Sequence, residues 1–132
     1  MSVCLDSWAV LAWLDGDEPA ASAVQSAFEA GRPWMSCLNL GEVAYLLERR
    51  HDAQESARVV RRLRTSLALD ELTPDRILAA AHLKAVHPIV FADCFAAATA
   101  AARGATLLTG DPELIERDIG CDVRDLRASP MA

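Results

Sequence analysis

Short apolar segments alternate with longer segments of helical periodicity along almost the whole chain, and this alternation constrains the fold more than any other feature. The segments that resemble strands are 2–5, 34–37, 67–72, 105–108 and 122–126. Between them, helical spacing recurs in segments 7–14, 20–30, 38–50, 53–66, 75–86 and 91–103. Strands joined by helices pair in parallel through right-handed crossovers, which places helices on both faces of the sheet. The pattern therefore predicts an α/β fold with a short-stranded, mainly parallel central sheet.

The composition is that of a single globular domain spanning residues 1–132. Hydrophobic residues make up 52% of the chain, which suffices for a core, and no repeat or linker interrupts the pattern. The first ten residues lack the basic start and long apolar stretch of a signal peptide, and no apolar run is long enough to span a bilayer. We therefore expect a cytoplasmic protein with no membrane partner.

Charge and cysteine content exclude two further classes of protein. The formal net charge of −6 is unsuited to binding nucleic acid by bulk attraction, so any such affinity must be local. The four cysteines are scattered, without the paired spacing of a structural zinc site. We expect them to be reduced, buried thiols.

Four acidic residues follow the predicted strands at equivalent places. Asp6 ends the first strand, Glu42 lies early in the helix after the second, Asp93 begins an alanine-rich helix, and Asp111 follows the strand at 105–108. In open α/β sheets, ligands bind beyond the carboxyl ends of the strands. We therefore predict that these four carboxylates converge on one site.

Carboxylates gathered in this way repel one another unless a cation neutralises them. An all-oxygen ligand set without a cysteine or histidine cluster favours Mg²⁺ or Mn²⁺ over zinc. Two such ions roughly 3.5–4 Å apart can stabilise the attacking and leaving oxygens of a phosphodiester displacement. The pattern thus indicates metal-dependent phosphodiester hydrolysis.

The stretch FADCFAAATAAARG places one carboxylate, Asp93, in an otherwise apolar helix. Its spacing predicts a core-facing stripe of Phe91, Phe95, Ala98 and Ala102. Small residues on the face of Asp93 permit close packing, and the helix N-terminus favours a negative charge there. A bound metal would then offset the desolvation of the carboxylate.

At these residues the chain resembles the PIN-domain family and, within it, the VapC-type toxin ribonucleases of VapBC toxin–antitoxin pairs. Three segments carry the resemblance in the family's order: LDSWAVLAWL, NLGEV and ADCFAAATAAARGATLLTGDPEL. The last segment is the most specific, because it joins an acid-headed alanine helix to a strand and a TGD turn. The resemblance covers almost the whole chain and implies a PIN-like three-layer α/β/α fold.

The resemblance also implies a function. The family's acidic quartet corresponds to Asp6, Glu42, Asp93 and Asp111. The implied activity is that of a Mg²⁺- or Mn²⁺-dependent endoribonuclease, the toxin of a type II toxin–antitoxin system, which leaves 5′-phosphate and 3′-hydroxyl ends on RNA. The implied partners are a VapB-like antitoxin that covers the active-site groove and a second copy of the chain in a homodimer.

Simpler structural roles stay open for several residues. Asp6 and Asp93 could be helix N-caps, Glu42 the acid of a capping box whose N-cap is Asn39, and Asp111 a turn residue. The residues that could orient the acids are Ser7, Asn39 and Thr109, and hydroxyls beside turns are often only turn or cap formers. The tryptophans also admit two roles, and packing in the core or at a dimer interface is preferred over stacking on bases. These residues are Trp8, Trp13 and Trp34.

The arginines of the helix at 53–66 also admit two interpretations. Arg58, Arg61 and Arg62 could attract RNA phosphates toward the acids. A run of this kind is more often a solvated helical face.

Three other functions compete with the toxin hypothesis. A housekeeping PIN-domain nuclease that processes RNA would share the chemistry and differ in its effect on growth. A non-catalytic RNA-binding module is disfavoured by the intact quartet. A phosphoaspartate phosphatase would need a second Asp two residues after the first, where this chain has Trp8.

Overall fold

A computed structural model describes residues 2–127 of the chain, and all statements on structure refer to that range. Within it the strands are β1 (Val3–Leu5), β2 (Trp34–Ser36), β3 (Ala68–Asp70), β4 (Thr106–Thr109) and β5 (Val123–Asp125). The helices are α1 (Ser7–Asp15), α2 (Ala20–Ala30), α3 (Cys37–Arg50), α4 (Ala53–Ser66), α5 (Pro74–Val86), α6 (Phe91–Arg103) and α7 (Pro112–Ile115). The predicted order of elements is confirmed, with boundaries shifted by a few residues.

The described strands form one sheet in the order β3-β2-β1-β4-β5. Every neighbouring pair is parallel, which confirms the prediction of a mainly parallel sheet. In the central pair Cys4 lies opposite Leu107, and Leu5 opposite Leu108. The direction of strand order switches between β1 and β4, the point at which open sheets of this type bind their ligands.

Buried side chains separate onto the two faces of this sheet. Leu5 and Leu108 point into a core shared with α1 to α4, whereas their chain neighbours Cys4 and Leu107 point into a second core. That second core contains residues of α5, α6 and α7. The alternation follows from the two-residue period of a strand and gives the three-layer arrangement.

Short polar side chains determine where several helices begin. Oδ1 of Asp6 accepts a hydrogen bond from the amide of Ala9 at 2.8 Å and caps α1. Thr73 caps α5, whose first residue is Pro74 as expected from the sequence. None of the helices among residues 2–127 combines the length and apolar character needed to cross a membrane.

The structure corrects the predicted start of α3. The helix begins at Cys37, and its N-cap is Ser36, whose hydroxyl accepts a hydrogen bond from the amide of Leu38. Asn39 was predicted as the N-cap, but it lies inside the first turn and is 1% exposed. The sequence pattern misled because Ser36 also forms the last residue of β2, so the strand passes directly into the helix.

The predicted core stripe on α6 is also wrong at its ends. Phe95 and Ala98 are buried, but Phe91 is 44% exposed and Ala102 is exposed. All residues from 94 to 100 are buried. The helix is covered nearly all round at its centre, because it packs against the sheet on one side and α5 on another, and a one-sided stripe does not describe it.

A buried ion-pair cluster attaches α6 to the edge of the sheet. Asp70 ends β3, and its side chain is 1% exposed. Its carboxylate accepts hydrogen bonds from Arg76 of α5 and from Thr99 and Arg103 of α6. The guanidinium of Arg103 also stacks on Trp34, 4.1 Å from the ring centroid. These contacts fix the helix that carries Asp93.

The cysteines are free thiols, as expected. Cys4 and Cys94 are buried, whereas Cys37 and Cys121 are half-buried.

Candidate active site

The four acids predicted to converge lie together at the carboxyl edge of the sheet. Asp6 follows β1 and Asp111 follows β4, so the central strand pair places them side by side. The charges of Glu42 and Asp111 both raise the pKa of Asp6. Carboxylate oxygens of Asp93, in the first turn of α6, and of Asp111 lie within 4.8 Å of each other. The structure therefore brings together all four side chains.

Asp6 is the most deeply buried acid of the site. Its side chain accepts hydrogen bonds from the Ala9 amide and from the hydroxyl of Thr109. Burial is the main reason why its pKa rises to about 7, although these two hydrogen bonds oppose the rise. Asp6 is therefore an acid whose ionised form needs a further positive partner at neutral pH.

Glu42 is held by two side chains that the sequence suggested as orienting residues. The Ser7 hydroxyl donates to Oε1 of Glu42 at 2.6 Å, and Nδ2 of Asn39 donates to the same oxygen at 2.9 Å. Nδ2 of Asn39 also donates to the carbonyl of Ala92, one residue before Asp93, at 3.1 Å. Because both donors use Oε1, the other carboxylate oxygen of Glu42 is left for a ligand.

Asp93 gives the clearest sign that this site fits a cation. Its Oδ2 is buried, and among residues 2–127 no hydrogen-bond donor reaches it. Burial is the main reason why the pKa of Asp93 rises to about 8, and the nearby carboxyl group of Asp111 raises it further. A divalent cation would favour the ionised form of Asp93.

Glu113 is an acid of the site that the sequence analysis missed. Carboxylate oxygens of Asp93, Asp111 and Glu113 all lie within 4.8 Å of one another, close enough to hold one ion. Asp111 caps the short helix α7 by accepting from the amide of Glu113 at 2.9 Å, which places Glu113 in the first turn of that helix. The sequence did offer an indication of its role, because Glu113 is an acid two residues after Asp111 and the intervening Pro112 favours the start of a helix.

The chemistry of this donor set fits a hard divalent cation. Every candidate ligand is a carboxylate oxygen, the type preferred by Mg²⁺ and Mn²⁺. Thr109 donates to Asp6, and its hydroxyl accepts from the amide of Asp111 at 3.0 Å, so one side chain orients two acids. Such outer contacts fix the direction of ligand oxygens before an ion arrives.

The arginines of α4 do not join the acids in this structure. Arg58 forms a paired contact with Glu55 on the exposed face of α4, at 2.6 and 3.0 Å. Arg58 and Arg62 line a cavity of about 100 Å³ together with Trp13, which lies near the end of α1 opposite Asp6. At 1.5 Å per residue, roughly 10 Å of helix separates the two ends. An RNA-binding role for Arg58, Arg61 and Arg62 remains a prediction.

Comparison with known proteins agrees with this geometry. The PIN-domain profile matches residues 3–119. DNA-bound VapBC from Salmonella typhimurium has a similar fold at a TM-score of 0.77 and 18% identity, over 96% of this chain and 99% of that chain. VapBC-1 from nontypeable Haemophilus influenzae has a similar fold at a TM-score of 0.72 and 20% identity, over 96% of this chain and 98% of that chain.

A third structure is described as a toxin that cleaves the sarcin–ricin loop, VapC20 from Mycobacterium tuberculosis. It aligns at a TM-score of 0.70 and 18% identity, over 90% of this chain and 98% of that chain. The comparison with curated protein sequences gives no match. The profile match spans most of the chain and the topology is shared, and we conclude that the chain belongs to the PIN-domain family.

Proposed function

We propose that this protein is a metal-dependent endoribonuclease, the toxin of a type II toxin–antitoxin pair. The observation that carries the proposal is the buried, unpartnered Oδ2 of Asp93 within a cluster of acids. Such an arrangement is stable in its ionised form only with a cation. The similarity of fold to VapC20, described as a loop-cleaving toxin, supports a nuclease activity.

Asp93, Asp111 and Glu113 would hold one Mg²⁺ or Mn²⁺, and Asp6 and Glu42 would complete the binding of ions and their waters. When bound, the metal supplies an activated water and neutralises charge that develops on the phosphate. Thr109 holds Asp6 in place, while Ser7 and Asn39 hold Glu42. These contacts keep the ligand oxygens aimed at one point, so little reorganisation accompanies the reaction.

Two protein partners belong to the same proposal. The VapBC structures of similar fold contain an antitoxin, which supports a VapB-like partner that blocks this site. A homodimer is supported by apolar side chains left exposed on and after α5, namely Ile77 at 39%, Leu78 at 66%, Val86 at 60% and Val90 at 57%. We also propose a cytoplasmic location, which the similarity of fold to the VapBC structures supports.

The decisive experiment compares cleavage of total cellular RNA by the parent and by the variants Asp6→Asn and Asp93→Asn. Each variant should lose at least about 100-fold in rate, since each removes a ligand charge. Asp75→Asn is the matched control, because Asp75 is an exposed acid in the first turn of α5. Chelation should abolish cleavage by the parent, and Mg²⁺ or Mn²⁺ should restore it with 5′-phosphate ends.

The alternatives make different predictions in the same experiment. Cleavage that survives in both variants, or that ignores the chelator, excludes the metal-dependent mechanism. RNA binding without cleavage by the parent would favour a non-catalytic module. Growth arrest on expression of the parent alone, relieved by Asp93→Asn, separates a toxin from a housekeeping nuclease.

A further inference from the structure

Trp8 is a large apolar side chain left exposed beside the acids. It lies in the first turn of α1, directly after Ser7 and two residues after Asp6, and it is 37% exposed. The other two tryptophans are engaged within the chain. Trp13 donates its Nε1–H to Gln25 and packs on Phe28, and Trp34 stacks with Arg103.

The indole of Trp8 covers the backbone of Gly110, the residue between Thr109 and Asp111. A Cβ built on Gly110 would lie 2.1, 2.2 and 2.4 Å from three consecutive atoms of the six-membered ring. An edge-on approach would leave the outer two atoms much farther away than the central one, so Gly110 contacts the face of the ring. The absence of a side chain at Gly110 permits this contact.

The position and orientation of the ring define an open aromatic surface. Gly110 covers one face of the six-membered ring, and 37% of the Trp8 surface is nevertheless exposed. The ring lies near the backbone that carries two of the acids, since Trp8 is two residues after Asp6 and Gly110 immediately precedes Asp111. An exposed aromatic ring beside the acids suits a planar partner that arrives with a phosphodiester.

Electrostatics favours such a contact. The chain has a net charge of −6, and the site is formed by acids. Arg58 and Arg62 lie against the far end of α1. Bound metal attracts one phosphate, but the neighbouring nucleotide needs a contact that does not depend on charge, and base stacking provides it.

We propose that the exposed face of Trp8 stacks on a nucleobase adjacent to the phosphodiester that the acids address, and so positions single-stranded RNA. This inference rests on the proposed function and adds a substrate-positioning residue to it. Stacking acts equally on bound substrate and transition state, so its loss raises KM and leaves kcat nearly unchanged.

The test measures binding of a fluorescein-labelled, mixed-sequence 12-nucleotide single-stranded RNA by anisotropy, with Ca²⁺ in place of Mg²⁺. Trp8→Ala and Trp8→Leu should weaken binding about 5- to 150-fold, the range found for loss of one stacked base. Trp8→Phe should stay within about threefold of the parent because it keeps an aromatic face. Leu72→Ala is the control, since Leu72 is exposed to a similar extent at 39%.

A second arm uses an RNA of the same length without bases. The parent and Trp8→Leu should bind this abasic chain equally. Three results would overturn the proposal. Trp8→Leu and the parent could bind normal RNA equally, the parent could bind no RNA, or the weaker binding of Trp8→Leu could persist on the abasic chain. Mn²⁺ affinity should be the same in Trp8→Leu and the parent, which excludes damage to the acids.

Cleavage assays with Mg²⁺ or Mn²⁺ on the same proteins, combined with the binding data, separate this inference from the nuclease assignment. Binding that depends on Trp8, in a parent that cleaves nothing with Mg²⁺ or Mn²⁺, refutes the nuclease and keeps the stacking contact. Metal-dependent cleavage with identical KM in the parent and Trp8→Leu keeps the nuclease assignment and refutes the stacking contact.

Discussion

The hydroxyl of Thr109 donates a hydrogen bond to Oδ2 of Asp6, although the two residues are 103 positions apart in the sequence. The parallel pairing of β1 with β4 brings them together, because both follow the paired residues Leu5 and Leu108. Both side chains are almost fully buried. Water therefore does not compete for the contact, and the strand pair itself sets the direction of the Asp6 carboxylate.

Replacement of Thr109 by Val tests the importance of that contact. The substitution keeps the shape and removes the donor, so Oδ2 of Asp6 loses its partner and the ligand oxygens of Asp6 are no longer oriented. Loss of such an outer contact typically reduces metal affinity or activity about 10- to 100-fold. Isothermal titration with Mn²⁺ should show this loss in Thr109→Val.

Thr109→Ser is the matched control, since it retains the hydroxyl and should bind Mn²⁺ much as the parent does. Parent-like Mn²⁺ affinity in Thr109→Val would show that the hydrogen bond serves folding alone.

Ser7→Ala tests the support of Glu42. The change removes one of two donors to Oε1 and leaves Asn39 in place. Because one donor remains, we expect a loss of only about tenfold in kcat. Ser26→Ala, a change at an exposed serine of α2, should leave kcat unaltered. A larger defect in the control than in Ser7→Ala would contradict this assignment.

The pH dependence of stability follows from the raised pKa values of Asp6 and Asp93. Burial raises them to about 7 and about 8, whereas both groups titrate near 4 in the unfolded chain. Between about pH 4 and pH 8 the folded protein therefore binds protons that the unfolded chain has released. The free energy of unfolding of the metal-free protein should fall as pH rises through this window and level off above it.

Urea denaturation in chelator at several pH values measures this decline. Asp93→Asn should flatten the upper part of the curve, because the variant has no charge to develop at that position. Added Mn²⁺ should stabilise the parent increasingly as pH rises, since the metal competes with protons for the same oxygens. A metal-free parent whose stability increases steadily from pH 4 to pH 8 would contradict the raised pKa values.

The sequence predicted the sheet well, because the positions of strands and helices depend on patterns of short range. Apolar periodicity located the elements, and each of Asp6, Asp93 and Asp111 stands next to a strand end or helix start. Long-range contacts were not accessible in this way. Asp70 looks like any strand-end acid until Arg103, 33 residues later, is seen to reach it.

Glu113 was missed for a different reason. Its carboxylate lies close to those of Asp93 and Asp111 from the first turn of the short helix α7. Likewise, nothing in the sequence around Gly110 shows that the ring of Trp8 lies over it. Side-chain direction within a tight turn depends on packing, which a one-dimensional pattern does not record.

Asp70→Asn tests the cluster that attaches α6 to β3. The pKa of Asp70 is lowered: burial would raise it, but hydrogen bonds from Arg76, Thr99 and Arg103 more than offset that effect. Arg76 and Arg103 are 16% and 40% exposed and can be partly solvated without their partner. We therefore expect a destabilisation of about 2 kcal/mol, below the range for fully buried pairs.

Chemical denaturation at pH 7 measures this loss. Asp125→Asn is the control, because Asp125 pairs with Arg127 at the surface, and a surface pair should contribute much less. Equal effects of the two substitutions would mean that the Asp70 cluster does not anchor the helix.

Gly110→Ala and Trp8→Ala together test the contact between the indole and the backbone. Gly110 does not adopt a positive φ, so alanine is compatible with its backbone, and the only obstacle is the ring 2.1 Å from the new Cβ. In the parent, Gly110→Ala should therefore destabilise by about 1–3 kcal/mol through overpacking. In the Trp8→Ala background the obstacle is gone, and the same change should be neutral or stabilise by up to about 1 kcal/mol, since alanine restricts the unfolded chain. Denaturation of all four proteins gives the coupling energy directly, and additive effects would mean that Trp8 does not lie on Gly110 in solution.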